Sequence, residues 1–106
     1  MVKRGEIWLA TLDPTVGHEV QKTRPCVVIS PPEIHDHLRT VIVAPMTTGS
    51  RTAGFRVPIS FKGKDGLVLL EQIRTMDRTR LVKRLGTAPK PAVEQILATL
   101  RDLFER

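Results

Sequence analysis

The sequence predicts an α+β domain in which a small, curled antiparallel β-barrel or sheet is closed by one C-terminal helix. Three observations lead there. Short runs of β-branched and apolar residues recur from Glu6 to Gly86, separated by Pro, Gly and Asp turn signals. Near the end of the chain the period changes: Val93, Ile96, Leu97, Leu100, Leu103 and Phe104 follow i, i+3, i+4, i+7 spacing. At 106 residues, 41% hydrophobic and 26% charged, the chain has the size and composition of one globular domain, 1–106, with a single modest core.

Glu6–Leu12 reads as the first strand, ended by Asp13-Pro14. Cys26–Ser30 is the second, closed by Pro31-Pro32, which cannot continue a strand interior. Glu33–Arg39 is polar and reads as irregular. Thr40–Ala44 is a β-branched third strand, and Phe55–Ile59 a fourth that Pro58 places at an edge or bulge. Lys62–Gly66 is expected to turn a hairpin around Asp65-Gly66. Leu67–Met76 is expected to be the longest strand, followed by a helical turn at Asp77–Leu81 and a further pairing segment at Val82–Gly86. Pro91–Glu105 is the amphipathic helix, with Pro91 suited to its first turn.

Lysine and arginine number 17 against 11 acidic residues, a formal net charge of +6. This excess favours a polyanion such as RNA or DNA as partner, or else marks a basic protein without one. No basic face is paired with exposed aromatics, which argues against a membrane surface. The single cysteine, Cys26, excludes an intrachain disulfide and reads as a small buried hydrophobe. The expected location is cytoplasmic, with no signal peptide and no membrane span.

The segment Asp13–Ser30 carries the most chemistry. His18, Glu19, Lys22 and Arg24 sit on a polar turn that runs directly into an apolar strand, a scaffolded loop of the kind that holds binding and catalytic groups. Glu19 can accept a proton. Arg24 offers a permanent charge and a planar fork of donors for a phosphate. A surface ion pair on an ordinary loop is the competing reading. At the end of the third strand, Pro45-Met46-Thr47-Thr48-Gly49-Ser50-Arg51 forms either a phosphate-lining segment, through its hydroxyls, glycine and arginine, or a plain polar turn. In the long strand, alternation places Leu70, Gln72 and Arg74 on one face and Glu71, Ile73 and Thr75 on the other, with Glu71 assigned a structural duty. His35-Asp36-His37 invites a metal reading, but its tight spacing in a polar loop is a poor chelate, and a solvated loop is the default. There is no phosphate-cradling glycine loop, nucleophile elbow or zinc-finger spacing. Four aromatics, Trp8, Phe55, Phe61 and Phe104, are too few for a dedicated RNA-stacking platform.

K-R-G-E-I-W at Lys3–Trp8, D-P-T-V-G-H-E, T-R-P-C-V-V-I-S, P-M-T-T at Pro45–Thr48 and L-L-E-Q-I-R-T-M-D at Leu69–Asp77 closely resemble the MazF/PemK toxins, the endoribonucleases of bacterial type II toxin–antitoxin pairs. The likeness runs in order from Lys3 to about Arg84, and the C-terminal helix fits it in kind. It implies an SH3-like barrel with appended helices, a homodimer, and metal-independent cleavage of single-stranded mRNA at short motifs, with arrest of translation and growth. It further implies no cofactor and an acidic, partly disordered antitoxin that competes for the basic groove. The family's arginine before proline falls on Arg24, its threonine on Thr47 and its loop glutamate on Glu19, the implied catalytic set. His18, Lys22, Thr48, Ser50, Arg51, Gln72 and Arg74 are the implied RNA contacts. His18 departs from the small polar residue often found there; it either shares proton transfer or only contacts RNA or solvent. A non-catalytic toxin of this fold that binds DNA gyrase is the main alternative, and a degenerate member that binds without cutting is another. The G-x-E, R-P and T-T set favours the ribonuclease, because a gyrase binder has no evident need for a phosphate-directed Arg/Thr pair.

Overall fold

The computed structural model describes residues 2–12 and 23–105. Among the described residues seven strands form one curled antiparallel sheet: β1 (Glu6–Thr11), β2 (Thr23–Val28), β3 (Thr40–Thr47), β4 (Arg56–Phe61), β5 (Lys64–Leu69), β6 (Arg74–Asp77) and β7 (Leu81–Thr87). Two helices accompany them, α1 (Pro32–His37) and α2 (Lys90–Leu103). The strand order is β4-β5-β3-β2-β1-β7, with β6 paired to β3 beside it, so the sheet makes a half-barrel of the expected α+β class.

Strand β3 is the pivot. Its first half pairs with β6 from Thr40↔Asp77 to Val43↔Arg74, whereas its last two residues pair with β5 at Met46↔Val68 and Thr47↔Leu67. The strand thus extends three residues past the expected end at Ala44, because Met46 and Thr47 find a partner only in β5. Alternation along these strands feeds two apolar clusters. Val27, Ile29 and Ala44 join Ile7, Leu70 and Ile96 in one, beneath α2. Cys26, Val28, Val41 and Val43 join Ala10 and Met76 in the other. Burial on both faces explains why the second strand reads as a continuous apolar run.

The long strand expected over Leu67–Met76 is broken. A 3-10 turn at Leu70–Gln72 separates β5 from β6, which sends Leu70 into the core and leaves Glu71 and Gln72 exposed. The two faces inferred from alternation are corrected accordingly. The hairpin turns within Lys62–Gly66 as expected, but three residues before Asp65-Gly66. Lys62 and Gly63, with φ of 52° and 76°, make the tight turn between Phe61 and Lys64, as a two-residue hairpin loop requires. Asp65 and Gly66 lie within β5 instead, opposite Ser60 and Ile59. Pro58 sits in β4 at the end of the strand order, as expected.

Residues 32–37, read as irregular, are helical, and His35 is no solvated loop residue. It is 2% exposed. The Ser30 hydroxyl donates to its Nε2, Nδ1–H donates to the Val2 carbonyl at 3.1 Å, and the Ile42 amide donates to Ser30 Oγ at 2.9 Å. Every polar atom of this buried chain is satisfied. Among the described residues no three His, Cys, Asp or Glu side chains converge on a metal-sized site. The helical turn after Asp77 is present at Arg78–Arg80, where the Asp77 carboxylate accepts from the Thr79 amide at 2.9 Å.

Helix α2 carries Pro91 in its first turn and packs Val93, Ile96, Leu97 and Leu100 on the core. The stripe ends there: Leu103 and Phe104, expected on the same face, are exposed. Among the described residues no helix is long and apolar enough to cross a membrane.

Candidate active site

Arg24 stands near the start of β2, next to Pro25. The residue before a proline is held in extended backbone, and Arg24 is exposed there. The β2–β3 pairing runs from Val28↔Val43 to Cys26↔Pro45 and stops there, and beyond it Arg24 and Thr47 line one cavity. Thr47 ends β3, half-buried, and its Oγ1 accepts from the Gly49 amide at 3.3 Å.

Arg24, Thr47 and the exposed Thr48 line a cavity of about 380 Å³ between β2, β3, β4 and β5. Pro25, Met46, Ile59 and Phe61 give it an apolar wall, Lys64 adds a second cation, and Gly66 forms part of its floor. A Cβ at Gly66 would come within 2.7 Å of the Thr47 carbonyl oxygen, so the glycine lets β5 approach β3 closely behind the site. Arg24 also lines a second cavity of about 270 Å³, together with Ser50, Gln72, Arg74, Leu12, Pro45 and Leu69. The Leu12 carbonyl at its edge accepts from Arg80 at 3.0 Å. Neither cavity is lined by a carboxylate among the described residues.

Of the residues singled out in the sequence, Arg24, Thr47, Thr48, Ser50, Gln72 and Arg74 therefore gather around one stretch of rim. Arg51 does not line it with its side chain. Its carbonyl instead accepts from Arg56 at 2.9 Å, and Arg56 pairs with Glu71 at 2.6 Å. That hydrogen-bonded pairing with Arg56 holds the Glu71 carboxyl below the usual range. His18, Glu19 and Lys22 lie outside the described residues. Met46, Ile59, Phe61 and Lys64 were not foreseen, since their place at the rim depends on the β4–β5 hairpin folding beside β3.

The site is electropositive and contains no reactive thiol. Burial pushes Cys26 up to about 12, against the opposing pull of the Arg74 and Arg24 guanidinium groups nearby. Two guanidinium groups and an ammonium around hydroxyl donors suit a phosphodiester.

Residues 3–104 match the family model described as "PemK-like, MazF-like toxin of type II toxin-antitoxin system". The chain belongs to this toxin family. It is 41% identical over 109 residues to the endoribonuclease PemK of Escherichia coli, covering 97% of this chain and 82% of PemK. It is also 41% identical over 110 residues to the endoribonuclease toxin ChpB of Escherichia coli K12, covering 97% of this chain and 94% of ChpB. Among solved structures, MazF in the MazE–MazF crystal (Form-II) from Deinococcus radiodurans superposes with a TM-score of 0.83 at 26% identity, over 96% of this chain and 94% of that one. The half-barrel with its C-terminal helix is thus the MazF-type fold, which bears out the SH3-like barrel expected from the resemblance.

Proposed function

We propose that this chain is the toxin of a type II toxin–antitoxin pair and a metal-independent endoribonuclease that cuts single-stranded RNA at Arg24 and Thr47. The observation that carries this reading is the convergence of those two side chains, from the successive strands β2 and β3, on one cationic cavity. RNA brings its own nucleophile, the 2′-OH, so a metal-activated water is not needed. The 2′-OH proton passes to Glu19 as the 2′ oxygen bonds to phosphorus. The bond from phosphorus to the 5′ oxygen then breaks, and that oxygen takes a proton from solvent. Arg24 and Thr47 act where charge develops, on the nonbridging oxygens, Arg24 as a fixed cation and Thr47 as a hydroxyl donor. The products are a 2′,3′-cyclic phosphate and a 5′-OH.

The toxin acts in the cytoplasm as a homodimer on mRNA, stopping translation and growth. The MazE–MazF pairing of the Deinococcus relative supports an antitoxin partner, and the +6 charge supports an acidic one. An oligonucleotide with one 2′-deoxy sugar, placed immediately 5′ of the scissile phosphate, tests the chemistry. It should resist cleavage, while a deoxy sugar a few positions away should not matter. Equal cleavage of the two would refute 2′-OH attack.

A further inference from the structure

Resting on the ribonuclease reading above, we propose that Arg24 divides two nucleoside sites of opposite character, so that the bases on the two sides of the cut are read by different physics. The two cavities, about 380 and 270 Å³, have Arg24 as the residue they share. A phosphodiester held by that guanidinium has one nucleoside on each side. Each cavity is placed to receive one of them.

The larger cavity presents a mainly apolar surface. Met46, Ile59 and Phe61 form it, and the Phe61 ring lies so close to Gly86 that a Cβ there would meet it at 2.9 Å. The ring is thereby backed by β7 at Gly86, and Lys62 Nζ stands over it at 5.5 Å from the ring centroid, so that a base on the remaining face would stack against a ring held in place. One such ring accepts any base by stacking, since every base has a π-face, and it discriminates weakly.

The smaller cavity presents a mainly polar surface. Ser50, Gln72 and Arg74 supply a hydroxyl, an amide and a guanidinium, above Pro45 and Leu69. The 3-10 turn at Leu70–Gln72 carries Gln72 out of the sheet to this rim. Among the described residues its side-chain amide takes part in no hydrogen bond, so both its donor and its acceptor are available to a base edge. A site built to hydrogen-bond a base rejects one that leaves its groups unpaired, and it is therefore the selective one. Gln72 is the specificity-determining residue of the pair.

The test is cleavage of a randomised single-stranded RNA pool, with the cut ends sequenced, by wild type, Gln72→Leu, Phe61→Leu and Arg24→Ala, each shown to be folded by its melting curve. Gln72→Leu keeps the side-chain size and removes its hydrogen bonds. It should still cut, with base preference at one position beside the cut relaxed by about 10- to 100-fold. Phe61→Leu should lower cleavage by roughly 10-fold or more while that preference stays intact. Wild-type preference at both flanking positions in Gln72→Leu would overturn the assignment. A pool left intact by wild type, or cut equally well by Arg24→Ala, would instead remove the ribonuclease reading and the two sites with it.

Discussion

A methyl group at Gly66 would stand 2.7 Å from the Thr47 carbonyl oxygen and 3.7 Å from Thr48 Cγ2. The first contact is with backbone, which cannot swing aside as a long side chain can, so Gly66→Ala must push β5 away from β3 at Thr47. Overpacking of this kind costs about 1–3 kcal/mol, and the lower unfolded-state entropy of alanine returns about 0.5–1 kcal/mol. The net loss is at most about 2.5 kcal/mol, with a central value of about 1.3 kcal/mol. At about 2.1 cal/mol/K per residue, the unfolding entropy of a chain this size is about 0.22 kcal/mol/K, so the melting midpoint should fall by about 6 °C at the central value and by at most about 11 °C. Activity should fall further than stability, because displacing a catalytic group by about 1 Å can cost on the order of 100-fold. Gly54→Ala is the matched control: nothing lies within 4 Å of a Cβ there, so it should keep full activity and, from the entropy gain alone, melt about 2–4 °C higher. Thermal melts and single-turnover RNA cleavage on the two variants decide the matter. If Gly66→Ala melts and cuts like Gly54→Ala, the close approach of β5 to Thr47 does not position the site.

Cys26 should resist Ellman's reagent at pH 8 in the folded protein and react at once on unfolding, since burial raises the thiol to about 12. Because the unfolded thiol ionises near about 8.5, the same burial makes stability fall as pH rises from there toward 12. Glu6 titrates in the opposite sense. Burial alone would raise its carboxyl, but the Lys3 amide at 2.9 Å, the Trp8 indole at 3.1 Å and Arg84 at 3.0 Å outweigh it and hold it low. Its stabilisation is complete above the unfolded glutamate value of about 4.3 and is lost as pH falls through the lower folded one. Glu6→Gln should therefore cost about 1–3 kcal/mol at pH 7 and flatten the acid limb of a denaturation curve. An unchanged acid limb would show that this cluster carries no linkage.

The parts of the fold visible in the sequence were those set by local pattern. The apolar run at Cys26–Ile29, the β-branched third strand and the i, i+3, i+4 spacing of α2 each constrain burial directly. Where the pattern misled, a tertiary partner had taken over. Leu67–Met76 is unbroken in its polarity, yet the core takes Leu70 and the chain turns there instead of running on. His35 looks polar in one dimension, and only the folded chain reveals Ser30 and the Val2 carbonyl on either side of its ring. Lys62-Gly63 rather than Asp65-Gly66 makes the hairpin turn, because Gly66 is needed where β5 meets Thr47. The site was legible in its polar half, Arg24, Thr47 and Gln72, whose residue types announce chemistry. Its apolar half, Met46, Ile59 and Phe61, reads as ordinary core until β4 and β5 are laid beside β3.

The most direct measurement is cleavage of a long unstructured RNA in excess EDTA by wild type and by Arg24→Ala, with the new ends mapped. Discrete fragments bearing 5′-OH ends, absent with the folded mutant, are the predicted result. Intact RNA with folded wild-type protein, or the same fragments from Arg24→Ala, would contradict it.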